Sequence, residues 1–164
     1  GNTNNGYVQS IFFFFCFNAI TLHPYLGSEA LKPFLDRTDK VSIILCRTSN
    51  VGAKEFQDLA VNGKLLWQIV AEKVYKGWNT NHNCMLVVGA TYPEEMKVVR
   101  SLAGEMTFLV PGVGAQGGDV KAVVEAGKNS QGLGIIINSS RGIIFAENPG
   151  EEAKKLRDEI NKYR

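Results

Sequence analysis

The chain has 164 residues, 45% hydrophobic and 21% charged, with a net charge of +2. This composition suits one globular domain with a sizeable core, and the charge is too small to argue for nucleic acid or an anionic membrane as partner. No stretch approaches the ~18 apolar residues needed to cross a bilayer, and no basic region precedes the aromatic run as a signal peptide would require.

In chain order, the run Phe12, Phe13, Phe14 and Phe15 reads as a buried segment. A β-branched strand is predicted over 19–23, and Ser28 is placed to cap a helix running to Leu35. A second strand spans 41–47. A helix is predicted over 63–78, with Leu66, Ile69, Val70 and Val74 on one stripe. After a third strand over 85–90, Thr91 and Glu94 have the spacing of a capping box around Pro93. A fourth strand covers 107–110. Asp119 then caps a helix that Gly127 would end. The fifth strand covers 134–138. Asn148 and Glu151 repeat the capping-box spacing around Pro149, and the last helix carries acids early and Lys162 and Arg164 late, which suits its dipole. Cys16, Cys46 and Cys84 lie beside or inside apolar stretches and read as buried free thiols in a reducing cytoplasm; no CxxC pair suggests zinc.

Strands apolar on both parities, alternating with amphipathic helices, imply a parallel sheet, either doubly wound or closed as a barrel. No linker or domain boundary interrupts the pattern. The strands end in polar residues, and in a parallel sheet all such ends share one face, which in a barrel is the mouth that carries the site. Five strands are visible where a barrel of this type has eight.

The most informative loop runs over 110–119 (VPGVGAQGGD) between a strand and a helix. Its glycines leave backbone N–H groups free to wrap an anion, and the helix start adds a favourable dipole. Gly112, Gly114 and Gly117 also match a dinucleotide fingerprint. That reading needs the first strand–helix turn and an acid ending the next strand, whereas this loop follows the fourth strand and the next ends in Asn138. A purely structural turn is the third reading. After that next strand come Ser139, Ser140 and Arg141; Arg141 offers a planar fork for phosphate oxygens, against the plainer reading of a surface arginine. The two loops together favour a phosphate site. Thr48, Ser49 and Asn50 either read the edge of a planar heterocycle or cap the following helix. His23 has no identifiable carboxylate partner and reads as structural, and His82, among asparagines, reads as loop.

These residues resemble the orotidine 5′-phosphate decarboxylase family, closest to its longer bacterial branch, through 18–27 (NAITLHPYLG), 45–53 (LCRTSNVGA), 87–95 (VVGATYPEE), 108–119 (FLVPGVGAQGGD) and 134–141 (GIIINSSR). The resemblance implies a homodimeric (β/α)8 TIM barrel that converts orotidine 5′-monophosphate to UMP in pyrimidine synthesis, without cofactor or metal. It implies that Gln116 and Arg141 grip the phosphate with backbone donors from Ser140 and Arg141. Ser49 would read the pyrimidine edge, Pro111 would line the base pocket, and Thr3 would reach the ribose of the neighbouring subunit's substrate. The family's catalytic Lys and Asp residues come mostly from a D-x-K-x-x-D segment ending strand three, which would fall before Gly1. The chain is therefore expected to be a single partial barrel domain over 1–164, about strands four to eight, with binding loops but no catalytic array. Val51 stands where the family usually has Pro, and Ser140 where its shorter members have Gly. Other phosphate-binding barrel enzymes, such as an epimerase or a sugar-phosphate decarboxylase, and a non-catalytic nucleotide-binding remnant remain as alternatives.

Overall fold

A computed structural model describes residues 2–113 and 119–164. Helix α1 (Asn2–Val8) widens into a π-helical turn (Gln9–Phe14) and leads to strand β1 (Ala19–Leu22) and helix α2 (Gly27–Leu35). Strand β2 (Val41–Arg47) is followed by a 3-10 turn (Val51–Ala53), the short helix α3 (Lys54–Gln57), a ribbon of β3 (Ala60–Val61) and β4 (Lys64–Leu65), and α4 (Leu66–Lys73), which ends in a second π turn (Val74–Trp78). Then come β5 (Cys84–Val88), α5 (Pro93–Ala103), β6 (Phe108–Pro111), α6 (Val120–Gly127), β7 (Ile135–Asn138), α7 (Arg141–Ile144) and α8 (Pro149–Ile160).

The main sheet is parallel throughout, in the order β1-β2-β5-β6-β7. Each main strand therefore lies beside the next one in sequence. A doubly wound sheet reverses its order at a switch point. The steady progression, with helices returning each strand to the same end, is the arc of a (β/α)8 barrel.

The five expected strands are all present, with ends shifted by at most two residues. Ile44, Leu86, Val88, Phe108 and Val110 are buried on one face of the inner strands, as is the layer of Ala71, Val74, Met96, Val99, Ala103 and Val123 on the helices; on the other face Ile43 and Val87 are buried and Leu109 is half-buried. The outermost strands differ. In β1, Ala19 and Thr21 are exposed, and in β7 only Ile135 and Ile137 turn to the core while Ile136 is exposed. At the opposite end from the strand-end loops, Arg100 stacks 3.8 Å from the centroid of Phe108. It donates to the carbonyls of Gly104, Met106, Gly127 and Gly134. Burial pulls its pKa down to about 10.

Several local expectations change. Of the aromatic run only Phe12 is buried; Phe13, Phe14 and Phe15 are exposed, because the wide π turn rotates them off the core. Ser28 does not cap α2, whose N-cap is Leu26. The Thr91 capping box does not form: Tyr92 is the N-cap of α5, and Pro93 occupies the first turn. The helix expected from residue 63 begins at Leu66, since Asn62 (φ +51°) and Gly63 (φ +79°) make the two-residue turn of the β3–β4 ribbon. Its buried stripe is Trp67, Ala71 and Val74, with Leu66, Ile69 and Val70 half-buried beside it. Asp119 caps α6 as expected, accepting from the Ala122 N–H at 2.8 Å, and Asn148 caps α8. Gly127 ends α6 for a packing reason, not a left-handed turn: a Cβ there would lie 2.7 Å from Met96 Sδ and 3.0 Å from Ile135 Cγ2. Cys46 and Cys84 are buried free thiols, but Cys16 is exposed.

Candidate functional site

Parallel strands in consecutive order bring the polar strand ends onto one face. One juxtaposition is between β6 and β7, where Pro111 and Asn138 are register partners. The glycine-rich loop departs from Pro111 and the Ser139–Ser140–Arg141 turn from Asn138, so the two loops start side by side. Gly112 takes φ +98°, a left-handed conformation that only glycine adopts without strain, and this turns the chain out of β6. The next strand end joins the row through the Ala90 N–H, which donates to the Pro111 carbonyl at 2.9 Å.

The second loop is built tightly. Ser140 Oγ donates to Asn138 Oδ1 at 3.0 Å, and the Ser140 carbonyl accepts from the N–H groups of Ile143 and Ile144. Arg141 is the first residue of α7 and is exposed at the mouth. A Cβ on Gly142 would sit 3.1 Å from Ser139 Oγ, so the loop doubles back closely on itself.

The loop after β2 is held from several sides. Gln57 clamps Thr48 twice: its Oε1 accepts the Thr48 N–H at 2.9 Å, and its Nε2 donates to Thr48 Oγ1 at 2.7 Å. Thr48 Oγ1 in turn donates to Asn50 Oδ1 at 2.6 Å. Asn50 precedes the 3-10 turn without a side-chain capping bond, so the capping reading does not hold for Thr48 and Asn50. Ser49 lies against Gly89: a Cβ on Gly89 would be 2.9 Å from Ser49 Cβ and 3.0 Å from its backbone nitrogen. The Gly89 N–H donates to the Arg47 carbonyl at 2.8 Å, so β2–β5 pairing continues up to that contact.

Beneath this loop Arg47 is fully buried. Its Nε and Nη2 donate to the two carboxylate oxygens of Glu95, its Nη1 lies 2.9 Å from Asp58 Oδ1, and its guanidinium lies 4.4 Å from the Tyr92 ring centroid. Burial disfavours the charge, but Glu95 and Asp58 more than offset it and raise the pKa above the ordinary arginine value. The sequence places Arg47 and Gly89 at strand ends without giving either a role, and it does not single out Gln57. The available signal is a charged residue closing a mostly apolar inner strand.

The remaining expectations fall as follows. Pro111, Ser140 and Arg141 lie on adjacent strand ends, and Ser49 lies between the β2 and β5 ends of the same face. Gln116 lies outside the described residues. The role expected of Thr3 concerns a neighbouring subunit; in the single chain it stands exposed on α1, which packs on α2. His23 is exposed. It borders a cavity of about 620 Å³, lined also by Tyr25, Cys46, Thr48, Asn50 and Trp67, and none of the five expected binding residues that are described lines it. The Cys46 thiol there donates to the Trp67 carbonyl, and burial pushes its pKa up to about 12. Among the described residues there is no group of three or more His, Cys, Asp or Glu suited to a metal ion, and no helix is long and apolar enough to cross a membrane.

The family model described as orotidine 5′-phosphate decarboxylase / HUMPS family matches residues 1–156. This chain belongs to that family. Curated orotidine 5′-phosphate decarboxylases from Janthinobacterium sp. (strain Marseille) and Cellvibrio japonicus are 47% and 48% identical to it. They are matched over 99% and 96% of this chain and 63% and 58% of their own lengths. The solved structure of Leishmania donovani OMP decarboxylase superimposes with a TM-score of 0.95 at 42% identity, covering 99% of this chain and 64% of that one. Leishmania donovani UMP synthase gives 0.96 at 44%, over 99% and 36%. The chain thus spans about three fifths of the curated decarboxylases it matches, and its five-stranded arc is the partial barrel of the orotidine 5′-phosphate decarboxylase fold.

Proposed function

We propose that the protein carrying this chain decarboxylates orotidine 5′-monophosphate to UMP, without a cofactor, as a cytoplasmic homodimer. The observation that carries this reading is the register pairing of Pro111 with Asn138, which sets the start of the glycine-rich stretch beside the start of the Arg141 turn. Two such loops make a cradle for a phosphodianion: Arg141 supplies a fixed charge, while Gln116 and the backbone N–H groups of Ser140 and Arg141 add donors. Ser49 reads the pyrimidine edge, Pro111 lines the base, and Thr3 serves the partner subunit's ribose. Gripping a group remote from the reacting carbon lets binding energy hold a closed, dry site, in which electrostatic stabilisation of a developing carbanion is strongest.

The residues 1–164 form one partial barrel domain that supplies this binding half. Because the chain spans about three fifths of the curated decarboxylases it matches, the lysine and carboxylate residues for the proton chemistry are to be sought in the remainder of the complete protein, and the 164 residues alone are expected to show no turnover. The family description also covers HUMPS members, and the glycine-rich and Arg141 loops would serve a sugar phosphate equally well. Competition binding separates the two. Protein from the complete reading frame should bind a 6-substituted UMP analogue far more tightly than pentose or hexose phosphates. Equal or tighter binding of the sugar phosphates would overturn the nucleotide reading.

A further inference from the structure

The loop that presents Ser49 has no regular structure of its own, yet its position is tightly defined by buried charge. Arg47 is the last residue of β2. From there its side chain reaches the end of α3 through Asp58 and the first turn of α5 through Tyr92 and Glu95. Those two helices follow β2 and β5, the strands whose ends meet at Ser49 and Gly89. Meanwhile the Arg47 carbonyl accepts the Gly89 N–H, and Gly89 is the residue against which Ser49 packs with no room for a Cβ. One residue therefore ties the β2 end to both helix ends through its side chain and to the β5 end through its backbone.

We propose that Arg47, held by Glu95 and Asp58, is a positioning residue for base recognition, acting through Ser49. The inference rests on the decarboxylase reading of the site. A guanidinium suits this role because its planar fork hydrogen-bonds both oxygens of Glu95, which sets its orientation, while Nη1 meets Asp58 as an ion pair at 2.9 Å without a hydrogen bond and adds charge compensation. A buried charge deprived of one partner must shift or draw in water, and either movement is passed on two residues later to Ser49. The phosphate loops leave β6 and β7, so loosening this cluster should affect the base end of a nucleotide and spare its phosphate end.

The test compares UMP, which presents a base, with ribose 5-phosphate, which presents none, using protein from the complete reading frame and Arg47→Met, Arg47→Lys and Glu95→Gln variants. Glu95→Gln keeps the shape of the cluster and carries the test if replacement of Arg47 prevents folding. The expected result is UMP affinity reduced about tenfold or more in Arg47→Met and Glu95→Gln, with ribose 5-phosphate affinity changed less than about twofold. Arg47→Lys, which keeps the charge but not the fork, should recover only part of the loss. In a Ser49→Ala background Glu95→Gln should have little further effect, the non-additivity expected of residues acting through one contact. Equal weakening of both ligands, or full additivity with Ser49→Ala, would reduce Arg47 to a general structural ion pair and overturn the proposal. A parent protein that binds ribose 5-phosphate but not UMP would overturn the functional reading itself, and this inference with it.

Discussion

Pro111 and Asn138 face each other across the last parallel pairing of β6 and β7, and each is the point from which a loop leaves the sheet. Asn138 also restrains its own loop, since its Oδ1 accepts the Ser140 hydroxyl at 3.0 Å. Asn138→Ala should release the Ser140–Arg141 turn and cost about 0.5–1.5 kcal/mol of ligand binding, a two- to tenfold loss of UMP affinity by calorimetry. Unchanged affinity would show that the turn keeps its geometry without Asn138.

Gly89 tests the base end of the site. A Cβ there would stand 2.9 Å from Ser49 Cβ and 3.2 Å from Ser49 Cα, and backbone cannot yield as a flexible side chain can. Gly89→Ala should therefore destabilise the protein by about 1–3 kcal/mol and lower UMP affinity in the same variant. Urea unfolding and UMP titration measure the two effects, and a variant that matches the parent in both would show that the two loops are not in contact in solution.

The parts of this architecture visible in the sequence are those set by periodic burial. The five main strands are apolar on both parities or close to it, and the caps at Asp119 and Asn148 carry the side-chain oxygen that such ends require. Contacts between elements distant in sequence were not visible. Gln57 clamps Thr48 from nine residues away and Glu95 reaches Arg47 from forty-eight, and no local pattern encodes either pair. The Asn62–Gly63 turn was a readable signal that lost to the longer apolar stripe behind it. Phe13, Phe14 and Phe15 look like core by composition, and only the π turn reveals their exposure.

Val51 offers a stability test. It begins the 3-10 turn, is almost fully exposed, and follows Asn50, whose φ of −72° and ψ of 150° are the extended values a residue before proline prefers. Val51→Pro should fit and raise stability by about 0.4–1 kcal/mol by restricting the unfolded chain. Thermal unfolding would register this as a higher midpoint; a lower one would mean that the backbone at Val51 is incompatible with a proline ring.

The three thiols should separate by reactivity. Cys16 is exposed, whereas burial raises the pKa of Cys46 to about 12 and of Cys84 to about 11 from an ordinary 9.0. At pH 8 an aromatic disulfide reagent should titrate one thiol quickly in the native protein and all three in denaturant. Because the folded pKa values lie above the unfolded ones, the stabilisation from these two neutral thiols is complete below about pH 9. It is lost as pH rises through 11 to 12, where unfolded thiols have already ionised. Rapid native reaction of all three would show that the Cys46 and Cys84 sites open readily.

The most direct measurement is turnover of orotidine 5′-monophosphate by protein from the complete reading frame, beside its Arg141→Ala variant. The expected result is CO2 release by the parent and a kcat/KM at least about 100-fold lower in the variant, equivalent to about 2.7 kcal/mol of lost phosphate grip at the transition state. No turnover by the parent, or equal kcat/KM in the two proteins, would contradict the account.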